Sequence, residues 1–143
     1  MIVLDTSVLV YAKGTGHPLR DPCRRLIEAI AEGAVQATTS VEVIQEFAHV
    51  RARRRGREDA AATASDYAEL LSPLLPVTRE HLQRGLVLFA RNERLGAFDA
   101  VLAAAAVDSA STTLVSADVA FANVGEIVHV VPDDRGVETL LGL

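Results

Sequence analysis

A single cysteine, no tryptophan and a 4% share of aromatic residues leave this 143-residue chain few of the usual chemical devices. Cys23 on its own cannot form an intramolecular disulfide, and a Cys-based zinc site needs more thiolates than one. It falls among the apolar positions Leu26, Ile27 and Ile30, which reads as core packing in a reducing compartment rather than as a reactive thiol. With half of the residues hydrophobic and so few aromatic, the core must be built from Leu, Val, Ile and Ala. Phe47, Phe89, Phe98 and Phe121 are expected to join it, and base stacking is a poor candidate for a main binding mode. The net charge of −5 argues against wholesale nonspecific binding of nucleic acid. No basic segment followed by a long apolar run opens the chain. The longest uncharged apolar stretch, Ala100–Val107, is too short to span a bilayer. The expectation is a soluble, cytoplasmic protein that makes no use of a membrane.

Catalytic signatures are missing too. His17 falls in a loop, His49 and His81 on helices and His129 in a strand, at no spacing that suits a metal or a catalytic pair. HExxH, a Gly-rich phosphate loop and GxSxG are absent, and Ser7 and Ser116 have no base near them in sequence. Nucleophilic catalysis is poorly supported, which leaves water activated by a metal.

What is present is an alternation of short strands with amphipathic helices. Strands are expected at Ile2–Leu4, Ala34–Thr39, Leu74–Val77, Thr112–Val115 and Glu126–Val131. Thr6–Ala12 reads as a turn or helix, and Pro22–Glu32 carries apolar residues at the helical period. Ser40 is a candidate N-cap for a helix to about Arg55, and Glu58–Leu71 follows the break at Gly56. Thr78 caps a helix to about Leu95 whose apolar face is Leu82, Leu86 and Phe89. Asp99 opens an Ala-rich helix to about Ala110. This pattern predicts one α/β domain over residues 1–143 with a mainly parallel sheet flanked by helices.

Four acids stand where strands end or within helices near them: Asp5, Glu46, Asp99 and Asp118. Each has a plain alternative. Asp5, Asp99 and Asp118 could cap the helices that follow, and Glu46, inside its helix, could simply be solvated. Glu42 shares a face with Glu46, four residues away, but the helix dipole already accounts for an acid in the first turn, so Glu42 is the fallback. Three acids at the same rim of the sheet repel one another unless a cation joins them, and several carboxylates completed by water suit Mg2+ or Mn2+ better than zinc.

The segments Val3-Leu4-Asp5-Thr6-Ser7, Val43-Ile44-Gln45-Glu46-Phe47, Phe98-Asp99-Ala100 and Leu114-Val115-Ser116-Ala117-Asp118, with Phe121 close behind, resemble the PIN-domain ribonucleases, specifically the VapC toxins of bacterial toxin–antitoxin pairs. They come in the family's order and span nearly the whole chain. Two departures are that Ser116 stands where the family often has Thr, and that Val119-Ala120 replaces polar residues. The resemblance implies a five-stranded parallel sheet and an acidic Mg2+ site in which Asp5, Glu46, Asp99 and Asp118 form the acidic quartet. Ser7 and Ser116 are then the hydroxyls beside it. It also implies a homodimer, an RNA substrate (tRNA, rRNA or mRNA) cut to 5′-phosphate and 3′-hydroxyl ends, and inhibition by a VapB-like antitoxin. The antitoxin's docking region is expected on an apolar patch of the two helices at 40–72.

Such a site would direct water in line at a phosphodiester. That route does not need the 2′-hydroxyl, so RNA preference must come from binding. Arg51, Arg53, Arg54, Arg55 and Arg57 form a basic run at the end of the Glu46 helix that could track phosphates, with a plain solvated helix end or an antitoxin or dimer surface as the alternatives. Two other classes compete. One is a catalytically silent PIN scaffold that binds RNA or protein. The other is a phosphotransfer domain using Asp5, which fits poorly because Ser7 stands where a second Asp is needed.

Overall fold

The computed structural model describes residues 1–142. Its sheet has four parallel strands: β1 (Ile2–Leu4), β2 (Ala37–Thr38), β3 (Thr113–Val115) and β4 (Val128–Val130), in the order β2-β1-β3-β4. The helices are α1 (Thr6–Ala12), α2 (Arg20–Ala31), α3 (Val41–Arg55), α4 (Arg57–Leu71), α5 (Arg79–Arg91), α6 (Ala97–Asp108) and α7 (Asp134–Leu140), with a 3-10 turn at Val119–Asn123. The expected α/β class and parallel sheet are both found. A fifth strand is not found among the described residues: Leu74–Val77 contributes one parallel bridge, Leu75 to Ser40, with Leu75 N–H on the Thr39 carbonyl at 2.9 Å. The partner segment turns into α3 at Val41, straight after Ser40, so no further strand residue is there to extend the ladder.

β1 and β3 carry the centre of the sheet. Val3, Leu4, Leu114 and Val115 are fully buried, as central strands covered on both faces require. Pairing runs Ile2 to Thr113, Val3 to Leu114 and Leu4 to Val115. From β1 the chain crosses to β2 on one side, then returns to β3 on the other. The order therefore reverses between β1 and β3, and a crevice opens beyond their carboxyl ends.

Helix starts follow their local chemistry. Ser40 Oγ accepts Val43 N–H at 3.2 Å to start α3. Thr78 and His81 form a reciprocal cap on α5. His81 Nδ1 accepts there, so its Nε2–H donates to Asp108 at 2.8 Å and ties the start of α5 to the end of α6. Gly56, at φ +87°, lets the chain turn from α3 into α4 without a Cβ penalty. Between those helices Phe47 meets Tyr67 edge-on at 5.0 Å, and the Tyr67 hydroxyl donates to the Leu9 carbonyl at 3.2 Å.

Two expectations about packing are corrected. Phe47 and Phe121 are buried, but Phe89 and Phe98 are 46% and 37% exposed. The stripe Leu82, Leu86 and Phe89 faces outward, and α5 instead packs through His81, Gly85 and Leu88. A Cβ at Gly85 would lie 2.7 Å from the Val101 Cα, so the absent side chain is what lets α5 and the Ala-rich α6 approach. Cys23 is buried as expected, its thiol pushed up to about 12 by burial, which makes it inert. Among the described residues no helix is long and apolar enough to cross a membrane.

Candidate active site

At the reversal point between β1 and β3 lies a cavity of about 350 Å3 lined by Asp5, Ser7, Glu46, Asp99 and Asp118, with Arg54 on its wall. Asp5 follows β1, Glu46 comes from the middle of α3, Asp99 from the first turn of α6, and Asp118 from the turn after β3. The four acids singled out from sequence thus reach one cavity from four separate segments.

Hydroxyls organise the end of the two central strands. Asp5 N–H continues the ladder onto the Val115 carbonyl at 3.0 Å. Its carboxylate turns away from capping α1, and Oδ2 accepts from Ser116 Oγ at 2.7 Å and Ser7 Oγ at 3.3 Å. Ser116 Oγ also accepts Asp118 N–H at 3.0 Å, while Ser7 Oγ accepts Ala117 N–H at 3.1 Å. Both hydroxyls therefore pin the 116–118 turn to Asp5. Asp118 keeps its capping role in part: Oδ1 accepts Ala120 N–H at 2.9 Å. Capping and site geometry are combined in that residue.

Acidic charge outweighs basic charge in the cavity, where Arg54 is the one cation among the lining residues. Asp99 is pushed up to about 7, first by burial and then by the charges of Asp5, Asp118 and Glu46. Burial raises Asp5 as well, against the hydrogen bonds of Ser116, the Thr6 backbone and Ser7, and Asp118 adds to the rise. Glu46 is raised by partial burial and by Asp5, opposed by Thr6 and His49. The buried Thr6 hydroxyl lies beside that carboxylate without a hydrogen bond of good geometry. Oxygen donors brought into one partly buried cavity, where their negative charges repel, fit a hard divalent cation, which would relieve the repulsion. As they stand, no three His, Cys, Asp or Glu among the described residues are close enough to hold a metal ion. The acids share a cavity rather than a point, and Glu46 and Asp118 are exposed.

The remaining sequence candidates separate. Glu42 lines a different cavity, beside Leu82, Leu86 and Phe98, so the fallback for Glu46 lies away from the other acids. Arg51, only 15% exposed, is bound to Asp59 at 2.7 Å and to the Lys13 carbonyl at 3.2 Å, a structural brace rather than a free cation. Arg53 lines neither the acidic cavity nor its neighbour, Arg54 lines both, and Arg55 lines the neighbour. The helices at 40–72 expose one large apolar side chain, Val41. The expected apolar docking patch is therefore absent there among the described residues; the exposed apolar stripe is on α5. Sequence reasoning missed Thr6, Val10, Tyr11 and Val50 in the cavity wall. Helical spacing carried the signal, since Ser7, Val10 and Tyr11 share one face of α1, and Glu46, Val50 and Arg54 one stripe of α3.

The family model for the PIN domain matches residues 2–127. The chain is 56% identical over 146 residues to Ribonuclease VapC7 of Mycobacterium tuberculosis, with 99% of each chain covered. It is 36% identical over 101 residues to Ribonuclease VapC23 of the same species, covering 69% of this chain and 78% of that one. In three dimensions it resembles the crystal structure of M. tuberculosis VapC20, described as a sarcin-ricin loop cleaving toxin. The TM-score is 0.73 at 22% identity, over 87% of this chain and 95% of that one. By sequence over its whole length and by fold, the chain belongs to the PIN-domain family, among the VapC ribonucleases.

Proposed function

We propose that the protein is the toxin of a type II toxin–antitoxin pair, a Mg2+-dependent endoribonuclease that acts as a homodimer and is restrained by a VapB-like antitoxin. The observation that carries this reading is the convergence of four acids from four segments on one cavity, where burial and then the neighbouring acids raise Asp99 to about 7. The names of the relatives point to RNA as the substrate. Asp5 and Asp99 are the residues that would hold the cation, and Glu46 and Asp118 would complete its shell or orient water. A divalent cation there supplies Lewis-acid stabilisation of phosphoryl charge and a more acidic water. Ser116 and Ser7 keep Asp5 and the 116–118 turn in register, so the acids are placed before substrate arrives. Arg54, on the rim, meets the incoming phosphate backbone.

The test is cleavage of RNA by the purified protein with Mg2+, with chelator, and with Asp99→Asn, followed by sequencing of the ends. The expected outcome is 5′-phosphate ends from the wild type with Mg2+ and loss of cleavage in the other two. Cleavage that persists in chelator or in Asp99→Asn would overturn it. A silent scaffold gains one observation, that no three of these acids meet closely enough to hold an ion as they stand. Titration with Mn2+ of the wild type against Asp5→Asn separates the two readings, because a scaffold binds no more ion than the variant.

A further inference from the structure

Beside the acidic cavity lies a second one of about 360 Å3, within the size range of small-ligand sites. The two share Val10, Tyr11, Val50 and Arg54 in their walls, so they adjoin. Tyr11 and His17 stack in the second cavity, ring centroids 4.1 Å apart and planes within 20°. His17 is the outer, exposed ring, and its orientation is fixed by Nδ1 accepting Leu19 N–H at 3.0 Å. The loop that carries it is anchored, with Gly14 N–H on the Tyr11 carbonyl at 3.0 Å and Arg51 on the Lys13 carbonyl. Around the rings stand Lys13, Arg54 and Arg55, none of which enters an ion pair among the described residues.

We infer that this cavity is a subsite for the nucleotide adjoining the cleaved bond, its base stacked on His17 backed by Tyr11 and its phosphate met by Lys13, Arg54 and Arg55. The inference rests on the ribonuclease reading and adds a binding site to it. A single strand offers a base for the rings, a phosphate for the cations, and the next phosphate for the acidic cavity. An acidic peptide would satisfy the cations alone, leave the rings unused, and face four carboxylates next door.

The test uses a short single-stranded RNA and the same strand with one abasic nucleotide. Binding is read by fluorescence anisotropy in the Asp99→Asn background, and cleavage kinetics in the wild-type background. His17→Ala and Tyr11→Leu should each raise Kd about 10-fold for the intact strand, as expected for a lost base–aromatic stack, with the cleavage loss mostly in KM. His17→Phe should restore most of the binding. The abasic strand should bind the wild type as weakly as the intact strand binds His17→Ala. Lys13→Ala with Arg55→Ala should shallow the salt dependence by about 0.7 per residue.

Unfolding temperatures confirm that each variant is folded. Folded His17→Ala and Tyr11→Leu variants that bind both strands as the wild type does, in preparations whose wild type cleaves RNA, would overturn the subsite alone. The same holds if RNA binding is unchanged while affinity for a polyglutamate peptide falls, which would assign the cavity to protein. A wild type that cleaves no RNA would bring down the ribonuclease reading itself.

Discussion

Ser116 donates to Asp5 and accepts from the Asp118 backbone, so one fully buried hydroxyl joins the ends of the two central strands. Ser116→Ala should cost about 1–3 kcal/mol in denaturant unfolding, because the Asp118 N–H loses a partner in a part-buried place. The same change should weaken cleavage without abolishing it. Asp99 allows a sharper experiment. Its folded value, about 7, lies above the ordinary carboxylate value. In metal-free protein its contribution to stability is therefore fully present below about pH 4 and lost as pH rises through about 7. The unfolding temperature of chelated wild type should drop between pH 5 and pH 8, that of Asp99→Asn should drop less, and Mg2+ should restore the wild type at pH 8. A chelated wild type whose unfolding temperature holds or rises over that interval would contradict this. The acids were readable from sequence because each followed a strand or sat in a helix near one. Arg54 was readable as part of the basic run, whereas Tyr11 was not, because nothing local tells a helix face that lines a cavity from one in solvent.

At the scale of elements, capping chemistry was legible and facing was not. Ser40 and Thr78 start their helices where their hydroxyls predict. On α5, though, the apolar face marked by Leu82, Leu86 and Phe89 points outward. The helix instead buries the side without bulk, where Gly85 meets Val101. Close approach of two backbones is a tertiary fact, and a hydrophobic period has no means of recording it. Gly85→Ala should therefore destabilise by about 1–3 kcal/mol, as overpacking does, despite its better helix propensity. Thermal or denaturant unfolding decides the sign. Likewise the segment at 74–77 has the composition of a strand, yet it makes a single bridge because its partner turns into α3 straight after Ser40.

For the whole molecule, the outward stripe Leu82, Leu86 and Phe89, continued by Phe98 at the start of α6, is the exposed apolar surface that the proposed second copy would cover. Light scattering should show a dimer for the wild type and a monomer for Leu86→Glu, with unfolding temperature little changed, since Leu86 is 45% exposed in the single chain. A monomeric wild type across the concentrations tested would remove the dimer from the proposal. The fold class was legible because alternating strands and helices admit few arrangements. The meeting of Asp5 with Asp99 and Asp118 needed the crossover order that sets β1 beside β3.

That order has a further consequence. Leu4 ends a strand of three residues and Asp5 follows it directly, so the pairing of that strand with β3 fixes which of the two the crevice receives. A slip of one residue would exchange them, presenting a leucine to the acidic cavity and forcing an acid among apolar side chains. Mispaired molecules would be inert rather than feeble, so the turnover of an imperfectly folded preparation would count its correctly assembled fraction.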